Sequence, residues 1–131
     1  MTQPPLSRIL YVEDDHDIQT IAQIALEAVG GFTLRTCNSG LEALAPDSVA
    51  FAPQLLLLDV MMPGMDGPTT LAQLRQLPGL ATTPVIFMTA KVQANEVADY
   101  MALGALGVIA KPFDPIGLSG QVRTLWEARS A

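Results

Sequence analysis

Apolar residues along the chain follow two spacings in turn. Short β-rich apolar runs stand at 9–12, 32–36, 55–58, 85–88 and 108–110, with glycine, proline or charged residues between them, as strands would. After the first run, Ile18, Ile21, Ala22, Ala25, Leu26 and Val29 recur at i, i+3, i+4, i+7, i+8 and i+11, which is one face of a helix. Leu71, Leu74 and Leu77 make a second such stripe, and Leu118, Val122, Leu125 and Trp126 a third. The segment 95–104 reads as a helix with Val97 and Met101 turned inward. The stretch 39–49 is less regular because Pro46 interrupts it.

Turn residues agree with this alternation. Gly30-Gly31 ends the first helix as a C-terminal glycine cap would, and Asp114-Pro115 reads as an N-cap followed by proline at the first helical position. Pro84 opens a strand, where a missing N–H costs least. Gly117 and Gly120 weaken the last helix. Five strands alternating with five helices predict a parallel sheet covered on both faces, a doubly wound α/β fold. The unbroken run Leu55-Leu56-Leu57-Leu58 suits a central strand buried on both sides. A flexible arm is expected over 1–7 and one domain over 8–131, with no output domain.

Composition narrows the classes. At 131 residues the chain has enough material for one core and too little for two; half of it is hydrophobic and only 15% charged. A net charge of −6 argues against nucleic acid as a partner. The single cysteine, Cys37, excludes an internal disulfide and suits a reducing compartment. The start of the chain carries no targeting signal, and no apolar stretch reaches the roughly 18 residues of a membrane span. The expectation is a cytoplasmic protein with no membrane contact.

In open parallel sheets, ligands bind beyond the carboxyl ends of the strands. After the first strand comes Glu13-Asp14-Asp15; after the third, Asp59 and the turn Met62-Pro63-Gly64; after the fourth, Thr89-Ala90-Lys91; after the fifth, Lys111-Pro112-Phe113. Carboxylates gathered at one edge raise one another's pKa unless a cation joins them, and Mg²⁺ with its oxygen ligands suits that charge. Lys111 adds a compact positive charge fit for a carboxylate or phosphoryl oxygen. Several neighbours have plainer readings. Asp66 caps a helix, His16 is an exposed first-turn residue, Cys37 is a small buried hydrophobe and Trp126 fills core.

The runs ILYVEDD at 9–15, LLLLDVMMPGMDG at 55–67, MTA at 88–90 and KPF at 111–113 together resemble the receiver domain of two-component response regulators. The resemblance extends from about residue 8 to the last helix. It implies a flavodoxin-like sheet of strand order 2-1-3-4-5, with Asp59 accepting a phosphoryl group from a sensor histidine kinase or a histidine phosphotransfer protein. Asp14 and Asp59 would ligate Mg²⁺ (or Mn²⁺) together with the backbone carbonyl of Met61, and Glu13 would act through water. Thr89 matches the hydroxyl residue that turns toward the phosphoryl group, Lys111 the family lysine, and Lys111-Pro112 the family's cis peptide. Such a chain is a switch that is phosphorylated and dephosphorylates itself, rather than a multiple-turnover enzyme. Its output would run through an unknown downstream protein, with dimerisation through the face of the fourth helix, fifth strand and fifth helix.

One position departs from the pattern. The family places an aromatic ring three residues before the strand-five lysine, and here Val108 stands there, with no ring to swing. This leaves an alternative: a pseudo-receiver that binds partners without using phosphorylation. A dehalogenase-like phosphatase would need a second aspartate at position 61, where this chain has Met61. Met61 and Lys91, each two residues past a reactive group, flank the path of attacking water, so Met61 is expected to slow hydrolysis of the acyl phosphate.

Overall fold

The computed structural model describes residues 4–129. Five strands, β1 (Arg8–Val12), β2 (Thr33–Cys37), β3 (Leu55–Asp59), β4 (Val85–Thr89) and β5 (Gly107–Ala110), form one parallel sheet in the order β2-β1-β3-β4-β5. The helices are α1 (His16–Gln23), α2 (Gly40–Ala43), α3 (Pro46–Phe51), α4 (Gly67–Leu74), α5 (Ala94–Ala102) and α6 (Leu118–Ala128). All five runs read as strands are strands, and β3 is buried along its whole length as its unbroken leucines require.

Among the described residues six helices stand where five were expected. Pro46 divides the second connection in two: Ser39 caps α2 by accepting from the Glu42 N–H at 3.0 Å, and Pro46 starts α3 afresh. The first helix continues beyond Gln23 as a π-helical segment, Ile24–Val29, closed by an i→i−5 bond from the Gly30 N–H to the Ala25 carbonyl. The wider turn takes the end of the apolar stripe, Val29, off the core. Ala22, Ala25 and Leu26 are buried, whereas Ile21, Ile24 and Val29 stay exposed.

Two further expectations are corrected, and part of the arm is described. The last helix starts at Leu118, because the Asp114 side chain accepts from the Ile116 N–H and its carbonyl from Gly117, folding 114–117 into a turn. Met101 faces solvent; α5 buries no residue fully and meets the sheet through Tyr100, whose ring lies 5.4 Å from that of Phe87. The arm over 1–7 is packed where it is described: Leu6 is buried, and the Pro4 and Pro5 carbonyls accept from Trp126 and Gln54. Residues 1–3 and 130–131 lie outside the described residues. Among the described residues no helix is long and apolar enough to cross a membrane.

The sheet divides the core into two layers. Ile9, Tyr11, Leu55, Leu57, Ile86, Met88 and Ile109 face α1 and α6, and Leu10, Val12, Leu56, Leu58, Val85 and Phe87 pack with α2 and α4. The pleat carries these faces to the carboxyl edge, so Glu13 and Asp59 follow the first layer and Thr89 the second. Behind Asp59, α4 comes very close. A Cβ at Gly67 would stand 2.6 Å from the Asp59 carbonyl oxygen and 3.0 Å from the Val60 Cα, and neither backbone atom can yield. Gly67→Ala is therefore expected to cost about 1–3 kcal/mol, read from the urea midpoint, by pushing on the strand end that bears Asp59. An unchanged midpoint would show that α4 can move away freely.

Candidate functional site

Strand register builds the site. Val12 lies beside Leu58, so the next residue of each strand, Glu13 and Asp59, come level on adjacent strands and on one face. Both are almost fully buried, at 1% and 2% exposure. Lys111 follows β5 and reaches back across Met88, placing its Nζ 2.7 Å from Glu13 Oε1 and 3.0 Å from Asp59 Oδ1. The peptide between Lys111 and Pro112 is cis. Asp14 reaches solvent at the rim, and carboxylate oxygens of Glu13, Asp14 and Asp59 lie within 4.8 Å of one another.

The charges do not cancel. Three carboxylates share one ammonium, and two of them have lost most of their water. Burial pushes the Glu13 carboxyl up to about 7; the negative charge of Asp59 adds to that, against the lowering by the Lys111 hydrogen bond. Burial works against the Lys111 ammonium, yet its bonds to Glu13 and Asp59 outweigh that and hold its pKa above the ordinary lysine value. Hard oxygen donors with surplus negative charge and an open rim are the donor set that a divalent cation such as Mg²⁺ takes.

The other expected residues stand further out. Thr89 is buried on the opposite sheet face, and its Oγ1 accepts from the Lys91 N–H at 3.0 Å instead of meeting the carboxylates. Met61 is 61% exposed, two residues past Asp59. Two side chains that had been given no role also reach the site. Tyr11 lies one pleat below Glu13, fully buried, its hydroxyl without a hydrogen bond; burial and the Glu13, Asp59 and Asp15 carboxylates push its pKa up. Gln19 reaches from α1 to the Glu13 carbonyl. Each had a signal in the sequence: a hydroxyl inside an apolar run, and a carboxamide three and seven residues before the buried Ala22 and Leu26.

This geometry has known counterparts. A family model for the response regulator receiver domain matches residues 9–123. The chain belongs to that family. The transcriptional regulatory protein CseB of Streptomyces coelicolor is 34% identical over 91% of this receiver, which spans 49% of that relative. A protein-glutamate methylesterase/protein-glutamine glutaminase of Rhodopseudomonas palustris is 40% identical over 80% of the chain and 28% of its own length. The receiver thus spans half or less of these relatives. The chemotaxis response regulator CheY4 of Vibrio cholerae has a similar structure, with a TM-score of 0.81 at 27% identity, covering 92% of this chain and 98% of that one. Receiver domains generally bind Mg²⁺ in an acidic pocket, and this one has the pocket in Glu13, Asp14 and Asp59.

The Glu13 shift has a consequence for stability. Below about pH 4.5 Glu13 is protonated in both folded and unfolded chains; from there to about 7 the folded chain keeps a proton that the unfolded chain has released. Stability therefore falls as pH rises through that window. In chelator, the wild-type melting temperature should drop from pH 4.5 to 7 relative to Glu13→Gln, which cannot ionise. Parallel profiles for the two proteins would assign the pH dependence to another group.

Proposed function

We propose that this receiver is a phosphoryl-accepting switch, with Asp59 the acceptor and Mg²⁺ or Mn²⁺ its cofactor. The observation that carries the reading is Lys111 bridging Glu13 and Asp59, two buried acids that a purely structural strand end would not need. Asp14, Asp59 and the Met61 carbonyl would hold the cation, with Glu13 acting through water. Such an ion supplies positive charge to the transferring phosphoryl oxygens.

The chain's own groups do the rest. An Asp59 carboxylate oxygen forms the new O–P bond as the P–N bond to a donor histidine breaks, and the imidazole leaves with the electron pair. Lys111 stays within reach of the acceptor to balance the added charge, so catalysis is mostly positioning and electrostatics. A phosphoryl group brings about −1.5 to −2 units of charge to this edge. That charge draws the Thr89 hydroxyl away from the Lys91 N–H and re-forms the loop it now holds. Water then hydrolyses the acyl phosphate and resets the switch, which makes the chain no multiple-turnover enzyme.

The phosphoryl donor would be a histidine kinase or a histidine phosphotransfer protein in the cytoplasm. Beside Lys111 lies an apolar cavity of about 440 Å³, lined by Ile18, Ile21, Ala90, Pro112, Phe113 and Pro115. A histidine-bearing helix delivering to Asp59 crosses this surface, which fits the exposure of Ile21. The downstream target is a further protein, and dimerisation through the α5–β5–α6 face belongs to the same reading. Val108 supports the second reading, a pseudo-receiver that binds without the switch.

Intact mass after incubation with Mg²⁺ and acetyl phosphate separates the two. The wild type should gain one phosphoryl group only when Mg²⁺ is present, and Asp59→Asn none. No adduct and no Mg²⁺ binding would favour the pseudo-receiver, and an adduct on Asp59→Asn would name another acceptor. Once phosphorylated, Met61→Asn should lose its phosphoryl group faster than the wild type, read as decay of the adduct mass; slower decay would mean that Met61 does not shield the acyl phosphate.

A further inference from the structure

We infer that Gln19 is a positioning residue for the cation side of the site, holding the peptide that carries Asp14. The inference rests on the reading of the acidic pocket as a divalent-cation site. Gln19 is nearly buried, on the side of α1 that also buries Ala22 and Leu26, where an apolar residue would pack at less cost. Its carboxamide nitrogen spends both protons. One goes to the Glu13 carbonyl, and the other to Asn38 Oδ1 at 2.8 Å. The Glu13 carbonyl belongs to the peptide linking Glu13 to Asp14, so its direction fixes where the Asp14 backbone stands.

The neighbouring bonds make this a clamp on three segments. The Glu13 N–H donates to the Cys37 carbonyl at 3.1 Å, tying the end of β1 to the end of β2. Asn38 is held in turn, since its N–H donates to Glu42 Oε2 at 3.0 Å. The Gln19 N–H closes the first turn of α1 on the Asp15 carbonyl at 2.9 Å, so the side chain leaves the helix at a defined height. Asp59 needs none of this, because the sheet itself holds it: Asp59 pairs with Met88 within the ladder. Asp14 lies past the last ladder pair of β1 and reaches solvent, so its place depends on the peptide before it. Groups that orient metal ligands from behind are typically worth about 10–100-fold in affinity.

A second glutamine on the same helix provides the control. Gln23 Nε2 donates to Thr36 Oγ1 at 3.0 Å, so it also ties the first helix to β2 but touches nothing on the Glu13–Asp14 peptide. Calorimetric titration with Mg²⁺ at fixed pH, beside melting temperatures, compares the variants. Gln19→Met should raise the Mg²⁺ Kd about 10-fold, Asn38→Ala should raise it by less, and Gln23→Met should leave it within about twofold. With acetyl phosphate, Gln19→Met should need more Mg²⁺ and still reach the wild-type extent of phosphorylation at saturating Mg²⁺, because the acceptor is untouched.

A merely structural role would lower the melting temperatures of Gln19→Met and Gln23→Met alike and leave both affinities unchanged. A Gln19→Met Kd within about twofold of wild type, or equal weakening in Gln23→Met, overturns the inference. Should Gln19→Met fail to fold, Asn38→Ala decides, and an unchanged Kd there overturns it. A wild type that binds no Mg²⁺ overturns the inference together with the cation reading beneath it, whereas wild-type binding that Gln19→Met retains overturns the inference alone.

Discussion

Two carboxylates buried side by side at the end of a sheet are the constraint on which the rest of this molecule depends. Glu13 and Asp59 are brought level by the pairing of β1 with β3, and neither has the water that would screen it. One lysine, 98 residues from the first and 52 from the second, lies within hydrogen-bond distance of both. A buried ion pair of this kind is a weak source of stability, since desolvation offsets most of its attraction. What the arrangement provides is a buried carboxylate held in place, an ammonium beside it, and surplus negative charge that suits a further cation. The close approach of Gly67 to Asp59 from behind and the bond from Gln19 to Glu13 both brace this edge.

The two sheet faces divide the work. Glu13, Asp59 and Lys111 stand over the layer packed on α1 and α6, whereas Thr89 stands over the other layer. Thr89 follows Phe87 on the same face of β4, and Phe87 pairs with Val108 across the ladder and packs at a tilt against Tyr100 of α5. The position where receivers place a ring on β5 is aliphatic here, and the aromatic contact lies instead between β4 and α5. No residue of α5 is fully buried, so the helix lies lightly on the sheet. A helix so lightly attached can respond to a small shift of the strand beneath it.

Much of this was legible in the chain. The five strands were visible because their runs are short, apolar and sharply bounded, and the gathering of Asp59 and Lys111 at one edge because four motifs stand in one order. The helices were less legible. The apolar stripe of the first helix implied that Ile21 and Val29 were buried, but both are exposed, and past Leu26 the π-helical turn changes the residues per turn and takes Val29 off the core. Asp114-Pro115 carries a helix-start signature, yet the same two residues also suit a turn, and here they make the turn that precedes the helix. Met101 looked inward by spacing, but Tyr100 takes the sheet contact because a ring reaches Phe87.

The chain by itself determined the strand runs, the fold class and the residue types that converge at one edge, because these depend on local period and on which groups follow each strand. Only the tertiary structure decided that Lys111 bridges both acids, that Thr89 faces the other layer, and that Gln19 grips the Glu13 carbonyl. Those facts arise from register, pleat and reach between segments far apart in the chain. A motif names the groups, and strand pairing sets the distances at which they act.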